Sequence, residues 1–88
     1  MKITDVPSRA SETVSREIQG DTFIMDVTRS QLHDLNAVGG RIWELIDGHR
    51  TVDEIVDVIV EEYEVERERA CEEVLSYLAV LREKGLIA

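Results

Sequence analysis

The sequence predicts one α+β domain of the winged helix-turn-helix type, with a three-stranded antiparallel sheet followed by three helices. Residues before position 36 alternate between apolar and polar types between turn signals, as half-buried strands do. Residues after position 36 place apolar side chains three and four positions apart, as amphipathic helices do. A chain of 88 residues suffices for one domain with a modest core.

Two turn signals divide the first part of the chain into three predicted strands. Residues 14–18 alternate in polarity, Gln19-Gly20-Asp21 marks a tight turn, and residues 23–27 alternate again. Thr28-Arg29-Ser30 marks a second turn, so that the segment 31–35 forms a short third strand. Together these segments predict a meander with one apolar face.

The first residues of the chain carry no such pattern. Residues 1–12 are mostly polar, contain the only proline and show no periodicity. They are predicted to form a flexible N-terminal arm, and residues 13–88 to form the folded domain.

Three helices are predicted over residues 37–47, 52–63 and 66–84. Asn36 can cap the first helix, and Gly48 stands where a left-handed residue would end it. These two residues bound the first helix closely.

The second and third helices carry further boundary signals. Thr51 and Glu54 have the spacing of a capping box, in which each side chain bonds the other residue's backbone N–H. Gly85 can end the third helix in a Schellman motif, with Leu86 touching Leu81. The start of the third helix carries no capping residue.

Composition and charge exclude several classes of partner and of covalent link. The net charge is −9, and residues 51–88 hold 11 acids against 4 bases, which opposes binding to nucleic acid. The single cysteine excludes an internal disulfide. Neither a membrane-length apolar run nor a signal peptide is evident, so a cytoplasmic protein without membrane contact is expected.

No catalytic or metal-binding constellation is evident, so the chain is expected not to be an enzyme and to need no metal or cofactor. Cys71 lies in a helical stripe without a paired histidine, and a structural or groove-lining thiol is favoured over a nucleophile. His33, His49 and Cys71 share no ligand spacing. The glutamates between residues 61 and 68 are interpreted as a solvated face, with docking of a basic partner as the alternative.

Three conspicuous residues have simple structural explanations. Trp43 has the spacing of a core residue rather than an interaction hot spot. Gly39 and Gly40 in the first turn of a helix predict close approach to a neighbouring element, since no phosphate-binding motif surrounds them.

Two features leave alternatives open. The apolar sector of the third helix spans about 160°, wider than the ~100° that core contact requires, so that half of it either packs in the core or lines a groove. The third strand has no following strand to pair with. Its edge is either covered or kept open for a peptide to add as a fourth strand. His33, on the same strand face as Leu35, is either partly buried in the core or exposed to a ligand.

The segment 35–55 reads Leu-Asn-x-x-Gly-x-x-Ile-Trp-x-Leu-x-x-Gly-x-x-Thr-x-x-Glu-Ile, and it resembles the PqqD family, the small proteins named for pyrroloquinoline quinone biosynthesis. The resemblance extends from about residue 14 to residue 87. It implies the predicted fold and makes residues 13–88 a peptide-recognition domain.

The resemblance also implies a function. Its members bind the leader of a ribosomally made precursor peptide, antiparallel to the third strand and beside the third helix, and present it to a modifying enzyme. That enzyme is a radical S-adenosylmethionine protein or a leader peptidase and cyclase pair. Carried onto this chain, the peptide-binding residues are Gln31, Leu32, His33, Asp34, Leu35, Cys71, Leu75, Leu78 and Arg82. The alternative, a winged-helix DNA-binding regulator, is opposed by the acidic residues of the third helix.

Overall fold

The computed structural model describes residues 1–88 and contains the predicted elements in the predicted order. The elements are β1 (Thr13–Ile18), β2 (Asp21–Asp26), β3 (Gln31–Leu35), α1 (Ala37–Leu45), α2 (Val52–Tyr63) and α3 (Arg67–Glu83). The sheet is antiparallel with strand order β1-β2-β3, so β2 is central and β1 and β3 are its edges. The predicted fold class is confirmed.

Left-handed residues make the two strand connections. Gln19 and Gly20 have φ values of 51° and 88°, which together give the type of two-residue turn that matches the twist of a hairpin. Ser30, with φ of 53°, closes the longer turn between β2 and β3. Both turns stand where the sequence predicts them.

The predicted caps of α1 and α2 are confirmed. The Asn36 side chain accepts a hydrogen bond of 2.9 Å from the backbone N–H of Gly39. At the start of α2, the Thr51 backbone N–H donates to Glu54 Oε1 at 2.9 Å, and the Glu54 N–H donates to Thr51 Oγ1 at 3.2 Å. Each bond satisfies a backbone donor that the helix itself cannot pair.

The Schellman ending of α3 is also confirmed. Gly85 has φ of 74°, its N–H donates to the Arg82 carbonyl at 3.0 Å, and the Leu86 N–H donates to the Leu81 carbonyl at 2.9 Å. The N-terminus of α3 has no side-chain cap, as the missing sequence signal indicated.

The first helix ends two residues earlier than predicted, at Leu45. Asp47 explains the difference, because its carboxylate accepts hydrogen bonds from the backbone N–H groups of His49 and Arg50, at 2.9 and 3.0 Å. A short polar side chain that bonds nearby backbone in this way competes with the helix. Gly48 keeps the left-handed conformation, with φ of 80°, but it lies in the loop.

The core lies between the inner face of the sheet and the three helices. Trp43 is 1% exposed, which confirms its predicted place in the core. A methyl group on Gly39 would collide with the phenol of Tyr77, and one on Gly40 would collide with the Thr22 side chain. The predicted close approach of α1 to its neighbours is therefore confirmed, and it involves both α3 and the sheet.

The segment predicted as a flexible arm lies against the domain in the structure. The carbonyls of Ile3 and Asp5 accept hydrogen bonds of 2.9 Å from the backbone N–H groups of Asp53 and Val52, in the first turn of α2. Further along, the Ala10 N–H donates to the Leu86 carbonyl at 2.9 Å. The mobility of residues 1–12 in solution, and the boundary after them, stay predictions.

The helices pack unequally on the sheet. α3 lies closely against α2, whereas α1 contacts β2, β3 and α2. None of the three helices combines the length and the apolar character that crossing a membrane requires.

Candidate functional site

The third strand offers an unpaired edge. β3 pairs with β2 along one side, in a register that places His33 beside Ile24 and Asp34 beside Phe23. No strand pairs with its other side. In an antiparallel strand, alternate residues direct their N–H and C=O groups to each side, so β3 carries free donors and acceptors along this edge.

The third helix comes near β3 and the turn before it at two points. Near the end of β3, the charge of Asp34 acts on the Tyr77 hydroxyl. Near its start, Arg29 in the preceding turn donates from Nη1 to the Lys84 carbonyl at 3.0 Å. α3 does not pack closely on β3 between these points, and we call the space between the two elements the cleft.

A cavity of about 540 Å³ lies between α3 and the start of α1, directly after the end of β3. It is lined by Asn36, Val38, Gly39, Ile42, Glu72, Glu73, Ser76, Tyr77 and Val80. Its lining combines apolar side chains with the exposed carboxylates of Glu72 and Glu73, which oppose an acidic ligand group.

Tyr77 lies on α3 and contacts α1 across the cavity. Its ring lies against the backbone of Gly39, where any side chain larger than hydrogen would displace it. Partial burial and, to a lesser extent, the negative charge of Asp34 raise the pKa of the Tyr77 hydroxyl above its ordinary value. The hydroxyl therefore stays protonated at neutral pH and can donate a hydrogen bond.

We call the residues of α3 that line this cavity the β3-facing flank; they are Glu72, Glu73, Ser76, Tyr77 and Val80. Val80 is 44% exposed although it is apolar. A large apolar side chain that is left this exposed beside an open strand edge is available to a ligand.

The residues predicted to form the groove wall lie on a different flank of α3. The predicted wall residues Cys71, Leu75, Leu78 and Arg82 form what we call the opposite flank of α3. Leu75, Leu78 and Arg82 line a separate cavity of about 290 Å³, whose lining includes Met1. Leu78 is fully buried in the core, whereas Cys71 and Leu75 are partly buried and pack against the core.

The residues predicted on β3 are arranged as the strand pattern requires. Leu35 is buried, whereas Gln31, Leu32 and Asp34 are exposed. His33 is partly buried, in line with one of its two interpretations, and its Nε2 atom is buried without a hydrogen-bond partner.

Several charged groups outside the cleft form ion pairs with each other. Arg41 donates to both carboxylate oxygens of Glu62 at 2.8 and 2.7 Å, which lowers the pKa of Glu62. The guanidinium of Arg67 pairs with Asp53 and Asp57. No group of three His, Cys, Asp or Glu side chains is placed to hold a metal ion.

Sequence reasoning missed Tyr77 and Val80 as lining residues. A signal was available for Tyr77, because a glycine in the first turn of α1 indicates that a bulky side chain packs on it. No residue pattern within α3 identifies Tyr77 as the side chain that packs on this glycine.

The sequence model of the family described as Coenzyme PQQ synthesis protein D (PqqD) matches residues 21–87. Among solved structures, "TbiB1 in Complex with the TbiA(beta) Leader Peptide" is 30% identical, with a TM-score of 0.85 over 91% of this chain and 93% of that chain. "Lasso peptide synthetase B1 complexed with the leader peptide" is 18% identical, with a TM-score of 0.86 over 96% and 99%, and supports the fold alone. No curated protein sequence matches the chain.

Proposed function

The chain belongs to the PqqD family, and on that premise we propose that it is a non-catalytic adaptor for the leader segment of a ribosomally made precursor peptide. The observation that carries the proposal is the unpaired edge of β3 beside a partly apolar cleft. Support comes from TbiB1, which is 30% identical over most of its length and was solved with a leader peptide. The adaptor would work in the cytoplasm.

Affinity and choice of sequence would come from different parts of the site. The leader adds antiparallel to β3 and gains backbone hydrogen bonds that any peptide could make. Alternate leader side chains point toward α3, where Tyr77 and Val80 contact apolar groups. We place this wall on the β3-facing flank, in place of Cys71, Leu75, Leu78 and Arg82, because it borders the cleft.

The adaptor would act by tethering. A leader held on β3 keeps the rest of the precursor near the active site of a bound modifying enzyme and raises its effective concentration there. The enzyme would be a radical S-adenosylmethionine protein or a leader peptidase and cyclase pair. This chain would supply no reacting group to the modification.

The alternative of a DNA-binding regulator has no supporting observation. The acids of α3 outnumber its bases, and Arg67 is already paired with Asp53 and Asp57. A helix with this charge would be repelled by the phosphates of a duplex.

An amide NMR titration tests the proposal. The labelled chain is titrated with the leader peptide encoded beside its gene, and a scrambled peptide of the same composition serves as the control. We expect saturable shifts along 31–35 and at Tyr77 and Val80, with none from the scrambled peptide. Shifts confined to the opposite flank, or equal responses to both peptides, would contradict the site.

Backbone methylation separates strand addition from simple apolar contact. Two leader variants carry N-methyl groups on alternate residues, one set on the odd positions of the bound segment and the other on the even positions. Only one set points its N–H groups at β3, so we expect one variant to lose binding and the other to retain it. Equal affinities would show that the leader does not bind as a strand.

A further inference from the structure

The outer face of the sheet, which is turned away from the helices, is apolar and uncovered. Leu32 is 62% exposed and Val14 and Ile18 are each 55% exposed. They line a shallow depression with a volume of about 380 Å³, together with Arg16, Phe23 and Met25. We call this surface the outer sheet face. Apolar groups gathered in this way mark an interaction surface, whereas single exposed ones do not.

The strand register arranges the outer sheet face in rows. Val14, Met25 and Leu32 lie side by side across the three strands and form an apolar row. The next row holds Arg16, Phe23 and Asp34, with the cation on β1, the aromatic ring on β2 and the anion on β3. Arg16 and Asp34 stand two strands apart and make no ion pair with each other or with any other residue.

We propose that the outer sheet face binds a second copy of this chain, related by a two-fold axis that runs parallel to β2. Such an axis lays β2 over its own copy and β1 over the β3 of the other molecule. Phe23 then meets Phe23, Arg16 meets Asp34 twice, and Val14 meets Leu32 twice. Every contact in the two rows is apolar against apolar or opposite in charge, as an isologous interface requires.

This complementarity selects a second copy over an unrelated protein. Another partner would have to present its own carboxylate and its own cation at the spacing of two strands, about 10 Å. A second copy presents both at that spacing because its sheet is the same. Leu32 and Asp34 belong to the strand that the proposed leader would join, but sedimentation of the chain without a leader tests the pairing apart from the proposed function.

The size and charge of the face predict weak association. Three strands of about six residues cover about 20 by 14 Å, less than the ~800 Å² per partner of a standard interface. Asp21 also lies on this face in β2 and would meet its own copy near the axis. The net charge of −9 on each chain opposes pairing further. We therefore expect a dimer that forms at high micromolar concentration and is strengthened by Asp21→Asn.

Sedimentation velocity on the full chain tests the pairing from about 10 µM to about 1 mM. The wild type is expected to shift from monomer to dimer. Arg16→Glu and Asp34→Arg are each expected to remain monomeric, because like charges then face each other across the axis. Amide spectra of each variant check that it folds.

Mixing the two variants in equal amounts is expected to recover the dimer. In the mixed dimer, one of the two charged contacts is the native one, between Arg16 of one variant and Asp34 of the other. The second contact joins the two substituted positions, where the signs of both charges are exchanged, so that it is again a pair of opposite charges.

The mixing experiment distinguishes this dimer from the others. Both variants keep a net negative charge, so general attraction does not predict their association. A dimer formed by exchange of β3 between two copies would persist in each variant alone, because it does not use the outer sheet face. A wild type that stays monomeric at about 1 mM, variants that dimerise alone, or a mixture that stays monomeric would each overturn the proposal. A wild type that stays monomeric would indicate that the outer sheet face binds a different protein.

Discussion

The two flanks of α3 carry similar apolar residues in different surroundings. On the β3-facing flank, Val80 and Tyr77 stand at the wall of an open cavity. On the opposite flank, Leu78 is fully buried and Leu75 packs partly against the core, beside α2 and the N-terminal segment. Val80 and Leu75 are separated by roughly 140° around the helix. A wide apolar sector on a small domain can thus combine a core face with an exposed face that lines a cavity.

The largest effect is expected where the opposite flank enters the core. Leu78→Ala should lower the free energy of unfolding by about 2–5 kcal/mol, because it leaves a cavity in a packed interior. Leader affinity of the folded protein should change little. Urea denaturation and calorimetric titration measure the two quantities. A large loss of affinity with little loss of stability would place Leu78 in the groove instead.

Gly39→Ala should disturb the β3-facing flank. The new methyl group collides with the Tyr77 phenol, and the strain should cost about 1–3 kcal/mol of stability and weaken leader binding by moving the ring. Tyr77→Leu in the same chain removes the collision and should recover stability without recovering affinity. An unchanged midpoint for Gly39→Ala alone would mean that the contact is looser than the structure indicates.

Val80→Asp probes the cleft directly. A carboxylate on this exposed wall should weaken leader binding by more than tenfold, about 1.4 kcal/mol, with little change in stability. Ala79→Asp adds the same charge to the neighbouring residue, which is exposed and lies outside the cavity of the cleft, and is the matched control. A stronger loss of affinity from Leu75→Asp than from Val80→Asp would return the groove to the opposite flank.

The smallest effect concerns the Tyr77 hydroxyl. Its pKa in the folded protein lies above the ordinary value of 10.0, chiefly because of burial. Folding therefore favours the protonated form, and this contribution is complete below pH ~10 and is lost as the pH rises through the folded pKa. Tyr77→Phe should remove that part of the alkaline loss. Unfolding midpoints of both proteins between pH ~9 and ~11 measure the difference; parallel curves would contradict the burial of the hydroxyl.

Much of the fold follows from signals local in sequence. The Asn36 cap, the Thr51–Glu54 capping box and the Gly85 ending each involve residues within a few positions of one another, and all three appear in the structure. The end of α1 was less predictable, because the Asp47 side chain competes with the helix for backbone N–H groups. Such competition depends on small differences in local energy that a residue pattern does not report.

The strand half of the candidate site could also be predicted from the sequence. The position of β3 at the edge of the sheet follows from strand order, since no strand follows it in the chain. The residues that form the wall of the cleft could not be predicted, because they depend on how α3 is rotated about its own axis. The predicted wall, from Cys71 to Arg82, is the opposite side of the same apolar sector.

The sequence by itself determined the order of the elements, their caps and turns, and the apolar character of α3, because each depends on interactions within a few residues. Only the tertiary structure decided which flank of α3 is buried and which lines the cavity beside α1. A helical period states the angle between two side chains but not the direction of either in the molecule. That direction is set by long-range packing, here the contact of α3 with α2 and of Tyr77 with Gly39.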